Sequence, residues 1–192
     1  MSFPQPIATN RSATGIPTGK LAVWWVVGSE IVIFGGLLAS YVMLRLFHTG
    51  WDAEAANTNT WFGAINTFVL LTSSLFIVLA HQAAEKGEEK KAFRLIWLTI
   101  LGGALFLINK GIEWTGEISH GFVMTKSVFW SFYYTACGLH AVHVLGGMVI
   151  MAIISFDVLK KQHMHRVELI GIYWHFVDIV WIFLFPMLYI AK

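Results

Sequence analysis

Residues 167–191 read VELIGIYWHFVDIVWIFLFPMLYIA. This apolar run is long enough to cross a bilayer as a helix, which takes roughly 20 residues. His175 and Asp178 lie inside the run, three residues apart, so a helix places both side chains on one face. A polar pair at that depth is costly in lipid unless it has partners, which makes it a candidate for function or for assembly.

The composition of the whole chain is typical of a membrane protein. Of the 192 residues, 57% are hydrophobic and 12% are charged, whereas a soluble domain has roughly 25% charged residues. The net charge of +2 is small and gives no reason to expect a nucleic-acid partner. The single cysteine, Cys137, excludes an internal disulfide and a metal site built from several cysteines.

Four more apolar runs precede the last one. The sequence therefore predicts an all-α, polytopic membrane protein with a bundle of five transmembrane helices. The predicted spans are residues 20–47, 61–83, 92–114, 128–159 and 167–191, within one transmembrane domain of residues 20–192. Residues 1–19 are polar and lack the pattern of a cleaved signal peptide, so we predict a tail that remains on the protein. The basic residues place this tail on the cytoplasmic side.

The basic residues predict that the amino terminus is inside and the carboxyl terminus outside. Nine lie in the tail and in the two connections on its side: Arg11, Lys20, Lys86, Lys90, Lys91, Arg94, Lys160, Lys161 and Arg166. Four lie on the other side: Arg45, Lys110, Lys126 and Lys192. Since basic residues favour the cytoplasmic side, the tail should lie there. All connections are too short to form a catalytic domain outside the membrane.

Glu30 is the clearest candidate for a functional residue in the first span. Helical rise places it roughly 15 Å into the span. A carboxyl group at that depth has to be neutral, paired or turned towards a polar cavity. A structural hydrogen bond, a proton relay and contact with a lipid head group are all compatible with the sequence.

His140 and His143 share one face of the fourth span. With His175 and Asp178 they supply three imidazoles and a carboxylate, which is a plausible ligand set for zinc or iron. Two histidines from different helices are also haem ligands in some proteins. Spacing alone is weak evidence for either group, and hydrogen bonding between helices is the favoured interpretation.

Two other acids have local explanations. Lys110 precedes Glu113 by three residues and lies on the same side of the helix, which predicts a local ion pair. Glu168 begins the fifth span, where the helix amino terminus favours a negative charge.

Several motifs, in order, resemble subunit III of the haem-copper terminal oxidases. Residues 173–181 (YWHFVDIVW) resemble the signature of that family, and residues 138–147 (GLHAVHVLGG) resemble its His-x-x-His helix. Further matches are Ser29-Glu30, residues 65–74 (INTFVLLTSS), residues 80–82 (AHQ) and residues 111–114 (GIEW). The resemblance covers residues from about 20 to 190 and is to the short, five-helix bacterial form, which lacks the first two of the seven helices in the mitochondrial form.

The resemblance implies a non-catalytic subunit of a proton-pumping cytochrome c oxidase in the respiratory chain of a bacterial inner (plasma) membrane. A subunit of this kind binds no haem and no copper, since those belong to subunits I and II. It packs on subunit I, holds phospholipid in a V-shaped cleft, supports proton uptake and protects the complex from inactivation during turnover. A larger respiratory supercomplex is a further implied partner.

The resemblance also implies roles for individual residues. Glu30 matches the family's buried acid beside the lipids. An interhelical polar network is implied for the other matching positions: Glu113, His140, His143, Glu168, His175 and Asp178. No catalytic and no metal-binding residue is implied in this chain.

Two departures from the family pattern affect the lipid site. Without the first two helices, part of the cleft needs a wall from another subunit or from bulk lipid. The mitochondrial form ends the matching helix with an arginine that meets lipid phosphate, and this chain has Asp157 there. Lys160 or Lys161 is then the candidate to replace that arginine, unless the contact is absent.

Alternatives remain at this point. A subunit III-like component of a quinol oxidase or of a nitric oxide reductase would show the same features. An independent transporter or proton channel would use Glu30, Glu113 and Asp178. A membrane metalloenzyme with histidine ligands is a third possibility.

Overall fold

The structure is a computed structural model that describes residues 15–191. Most of the predicted tail, residues 1–14, lies outside the described residues, and so does Lys192. Between residues 15 and 191 the regular elements are helices, and no β-strand forms.

Five long helices and one short one follow each other along the chain. Their bounds are α1 Thr18–Phe47, α2 Trp51–Ala55, α3 Thr60–Glu85, α4 Glu89–Ser119, α5 Val128–Leu159 and α6 His165–Phe185. A single π-helical turn, Pro186–Ile190, continues α6. All but α2 are long and apolar enough to cross a membrane, which confirms the prediction of five spanning helices. The orientation stays a prediction, and we use it to call the Thr18 end of the bundle the inner end.

The helices differ from the predicted spans mainly at one place. Helix α4 continues to Ser119, five residues beyond the predicted end at residue 114. Thr115, Gly116 and Glu117 lower the hydropathy there, yet the helix continues because Glu117 is buried against α5. Helix α2 was not predicted, since five residues are too few to give a periodic pattern.

Helix α6 is the centre of the bundle and contacts α1, α3 and α5. Its Trp174 ring fills the space that two glycines leave. A Cβ atom added to Gly103 of α4 or to Gly147 of α5 would lie 2.9 Å from that ring. Small residues therefore bring the helices close together, as is usual in lipid.

Helix α1 is peripheral. It buries one narrow stripe, Val27, Phe34 and Tyr41, at intervals of seven residues. Ion pairs and hydrogen bonds fix its ends beside α6: Lys20 lies 2.5 Å from Glu168 at the inner end, and Arg45 donates to the Ala191 carbonyl at 2.7 Å at the outer end.

Candidate functional sites: buried polar groups and an apolar groove

Glu30 and His143 form a polar pair between α1 and α5. His143 Nε2 lies 3.0 Å from Glu30 Oε2, and the two side chains are 16% and 17% exposed. The Tyr173 hydroxyl of α6 donates to the His143 carbonyl at 3.3 Å, and the Phe34 ring packs edge-on against the imidazole. The buried acid found in the sequence therefore has a partner in a neighbouring helix.

Hydrogen-bond geometry defines how this pair shares a proton. His143 Nδ1 lies 2.8 Å from the Leu139 carbonyl, and a carbonyl accepts only, so Nδ1 carries a hydrogen. One further hydrogen then lies between Nε2 and the Glu30 carboxyl. Whether it sits on the ring or on the acid, the pair as a whole is neutral, which is the arrangement that costs least in lipid.

Lys110 is the centre of a second cluster, which joins α4, α5 and the π-helical turn. Its Nζ donates to Glu113 Oε2 at 2.9 Å, to the Tyr133 hydroxyl at 3.0 Å and to the Tyr189 hydroxyl at 2.6 Å. Lys110 and Glu113 are both buried. The ion pair expected on one helix thus lies in the interior, where an ammonium group has three hydrogens to satisfy.

Glu117 belongs to the same cluster and was missed in the sequence, because the predicted span ended before it. The Tyr133 hydroxyl lies 3.0 Å from both Glu113 Oε1 and Glu117 Oε1, and its single hydrogen serves one of them at a time. The sequence does contain one indication of this cluster. Glu113 and Glu117 are four residues apart, which places them on one face of a helix. Both acids line an outer-end pocket of about 340 Å³, which His120 also lines.

The outer end of the bundle holds Tyr189 in place for this cluster. Proline at position 186 lacks a backbone hydrogen, and the turn that it begins is π-helical. Side chains of three other segments donate to carbonyls of the final turn. The donor–acceptor pairs are Tyr41 to Met187, Arg45 to Ala191, Thr58 to Leu188 and Thr60 to Tyr189.

His175 and Asp178 face α3 near the middle of their span. His175 Nδ1 lies 2.6 Å from the Ser74 hydroxyl. Asp178 is buried, and neither of its carboxyl oxygens has a hydrogen bond within residues 15–191. Neither side chain makes a hydrogen bond or an ion pair with α5, the helix that carries His140 and His143.

His140 lies apart from the polar pairs. Its ring stacks on Trp181 and meets Phe106 edge-on, at centroid distances of 5.2 and 5.3 Å. Neither ring nitrogen has a hydrogen-bond partner among the described residues. Aromatic rings fill the space around His140 within the described part of the chain, and its membership of an interhelical hydrogen-bond network stays a prediction.

The three histidines and Asp178 do not converge on one point. His143 pairs with Glu30, His175 with Ser74, and His140 lies among aromatic rings. Within residues 15–191 no group of three His, Cys, Asp or Glu side chains has a geometry that could hold a metal ion.

An apolar groove of about 480 Å³ opens near the inner end, between α1, α5 and α6. Its walls include Val26, Ile150 and Ile154, and Arg166 lies in its lining. Arg166 also donates to Asp157 at 2.6 Å. A cation therefore stands beside Asp157, although it comes from α6 and is not one of the two expected lysines.

Two further ion pairs lie at the inner end of the bundle. Lys161 lies 2.6 Å from Glu89, which ties the α5–α6 connection to the start of α4. Glu168 has the Lys20 ammonium as a partner in addition to its place in the first turn of α6. These pairs are partly exposed, so each contributes little to stability by itself.

Comparison with known proteins gives a consistent family. The family model described as Cytochrome c oxidase subunit III matches residues 14–192. A cytochrome c oxidase subunit 3 of Thermostichus vulcanus is 32% identical over 167 residues, which cover 84% of this chain and 82% of the relative. One of Corynebacterium diphtheriae is 30% identical over 199 aligned residues, covering 100% of this chain and 96% of the relative.

A relative with a different electron donor in its name is also similar. The cytochrome bo(3) ubiquinol oxidase subunit 3 of Pseudomonas aeruginosa is 29% identical over 171 residues, which cover 87% of this chain and 82% of the relative. The similarity therefore extends over nearly the whole chain in proteins of both kinds.

Proposed function

The chain belongs to the cytochrome c oxidase subunit III family, and on this basis we propose that it is the non-catalytic subunit III of a proton-pumping haem-copper oxygen reductase. The observation that carries the proposal is the family match over residues 14–192. Haem and copper then lie in partner subunits, and subunit I is the main contact. The chain works in a bacterial inner membrane as part of aerobic electron transport.

The placement of the titratable groups supports a structural role for this chain. Glu30 is paired with His143, and Glu168 is paired with Lys20. Lys110 is hydrogen-bonded to Glu113 and to two tyrosines. Groups that bridge helices in this way hold a bundle together, at roughly 1 kcal/mol for each bond in lipid. A transporter would need its acids free to bind and release an ion, and two of the three candidate acids, Glu30 and Glu113, are already paired.

Phospholipid binding is the second part of the proposal. The groove between α1, α5 and α6 has apolar walls for an acyl chain and Arg166 in its lining for a phosphate. The Arg166–Asp157 pair is partly exposed, so the guanidinium has donors to spare for a second anion. A lipid there fills the space beside the peripheral helix α1 and, as in the family, supports proton uptake and stability during turnover.

The electron donor has two candidates. Cytochrome c is favoured by the names of the relatives from Thermostichus and Corynebacterium, and a quinol by the name of the Pseudomonas relative. Subunit II of the same complex distinguishes them, since a copper-binding motif in that subunit indicates cytochrome c.

Affinity purification of the native complex through a tag on this chain tests the proposal. We expect haem absorbance in the visible spectrum and a subunit list that includes the haem-bearing subunit. A colourless preparation of this chain alone, active in transport after reconstitution into liposomes, would contradict it. Metal analysis of the isolated chain separates both outcomes from the metalloenzyme alternative.

A further inference from the structure

A polar patch lies on the outside of the bundle where α3 meets α6. It consists of Ser74, His175 and Asp178, all near the middle of their spans. Ser74 and His175 are partly exposed, and Asp178 lies behind them at 4% exposure. The surrounding side chains are exposed and apolar: Leu71 and Val78 on α3, and Ile179 and Ile182 on α6. We call this surface the α3–α6 seam.

Two polar groups of the seam, the Nε2 atom of His175 and the carboxyl group of Asp178, have no hydrogen bond within residues 15–191. His175 Nδ1 is bonded to Ser74, but Nε2 makes no hydrogen bond within residues 15–191. Both carboxyl oxygens of Asp178 are buried without a hydrogen bond in the same range. A buried unsatisfied polar group costs about 1–3 kcal/mol, and lipid tails offer no relief.

Other hydroxyl groups on the membrane-facing surface are satisfied within their own helices. Ser40 donates to the Gly36 carbonyl, Thr72 to Phe68 and Thr135 to Ser131, all at 2.7–2.8 Å. Such groups can face lipid at little cost because their hydrogens are used. Ser74 differs, since its hydroxyl group is hydrogen-bonded to His175 on another helix.

We propose that the α3–α6 seam is the docking surface for a transmembrane helix of the haem-bearing oxidase subunit, which presents a hydrogen-bond donor to His175 Nε2. The proposal rests on the proposed function and names the surface through which the subunits meet. A helix with small and apolar residues around one polar side chain fits an apolar seam with a polar centre.

A donor at Nε2 supplies the hydrogen-bond partner that His175 lacks and sets the tautomer of its ring. It makes Nε2 the acceptor, so in the neutral ring Nδ1 carries the hydrogen and donates to the Ser74 oxygen. The Ser74 hydroxyl hydrogen is then free to turn towards Asp178, whose carboxyl is close enough to interact with it. An acyl chain in the same place would leave Nε2 without a hydrogen-bond partner.

Photo-crosslinking in the native complex tests this inference. A benzophenone amino acid replaces Leu71 or Ile179 on the seam, and Val149 or Ile153 on α5 serves as the control. The four side chains are 47%, 51%, 53% and 60% exposed, so access to a partner is the variable that differs. We expect the seam positions to give adducts with the haem-bearing subunit in several-fold higher yield than the controls. Equal yields, or adducts from the control positions alone, overturn the proposal.

A substitution provides an independent readout. His175→Leu should lower the amount of haem-bearing subunit recovered per tagged chain several-fold, whereas Thr72→Val, beside the seam but bonded within its helix, should leave it unchanged. Equal recovery with His175→Leu contradicts the proposal, provided that the tagged chain accumulates normally. If the unsubstituted chain recovers no oxidase subunit, the proposed function itself fails, and this outcome differs from a misplaced crosslink.

Discussion

Glu30 and His143 face each other at 3.0 Å and attach α1 to the bundle at mid-membrane. Helix α1 has few apolar contacts, so polar bonds at three levels hold it: Lys20 with Glu168 at the inner end, this pair in the middle, and Arg45 at the outer end. The pair therefore stabilises the packing of a peripheral helix on the bundle, beside the groove that we propose for lipid.

Replacement of Glu30 should distinguish a role in helix packing from a role in proton transfer. Glu30→Gln keeps a neutral hydrogen-bonding partner for His143, so proton pumping by the complex should stay nearly intact. Glu30→Leu leaves His143 Nε2 unpaired and should lower the free energy of unfolding by about 1–3 kcal/mol. Pumping in proteoliposomes and thermal unfolding of the complex measure the two effects.

The control for Glu30 is Glu85, which lies 3.5 Å from His81 in an exposed pair. Glu85→Leu should leave unfolding unchanged within error, since exposed ion pairs contribute little. A large loss of pumping in Glu30→Gln would instead assign the acid to a proton path.

Two lysine–glutamate pairs with the same three-residue spacing should respond very differently to substitution. Lys110 and Glu113 are 3% and 2% exposed, whereas Lys91 and Glu88 are 63% and 44% exposed. Lys110→Met leaves Glu113 and Glu117 buried without a cation, and we expect a loss of about 3–5 kcal/mol or failure of the chain to accumulate. Lys91→Met should change stability by less than about 1 kcal/mol.

The double variant Lys110→Met/Glu113→Gln keeps the Lys110 test informative if the single variant does not accumulate. It removes both charges of the pair, so it should recover part of the lost unfolding temperature in detergent. Similar behaviour of Lys110→Met and Lys91→Met would show that the Lys110 cluster contains no buried ion pair.

Glycines that look alike in sequence should differ in their tolerance of alanine. A Cβ atom on Gly147 would lie 2.9 Å from the Trp174 ring, whereas one on Gly35 meets nothing within 4 Å. Gly147→Ala should therefore cost about 1–3 kcal/mol through overpacking. Gly35→Ala should be neutral or slightly stabilising for the isolated chain, because alanine is the better helix former. Thermal unfolding of the isolated chain in detergent distinguishes them, and equal effects would argue against the close α5–α6 packing.

Filling the apolar groove should displace lipid. Ile150 lines the groove, and its neighbour Val149 lies outside it with similar exposure. Ile150→Trp should lower the phospholipid retained per haem in the purified complex, whereas Val149→Trp should not. Mass spectrometry of the extracted lipids measures this ratio. An unchanged ratio in Ile150→Trp would mean that the groove holds no tightly bound lipid.

The five spans could be predicted because a bilayer demands long, continuous apolar helices, and nothing in the chain interrupts that pattern. The end of α4 could not be predicted in the same way. Hydropathy reports contact with lipid, and Glu117 is hidden from lipid by Tyr133 of another helix.

The sequence alone could not predict which residues of different helices contact each other. Three residues turn a helix by about 300°, so His140 and His143 share a face but point about 60° apart. That angle is enough to send His140 between Phe106 and Trp181, and His143 to Glu30 on α1. The three-residue spacing identified the two histidines as candidates. Which residues each of them contacts depends on the packing of the other helices.

Oxygen consumption by the complex with and without this chain tests the account most directly. The complex from a deletion strain is compared with the complete one, per haem, through repeated turnover. We predict the same visible spectrum and a similar initial rate without the chain, followed by earlier inactivation. An initial rate at background level with a changed haem spectrum would contradict the claim that this subunit supports the chemistry and does not perform it.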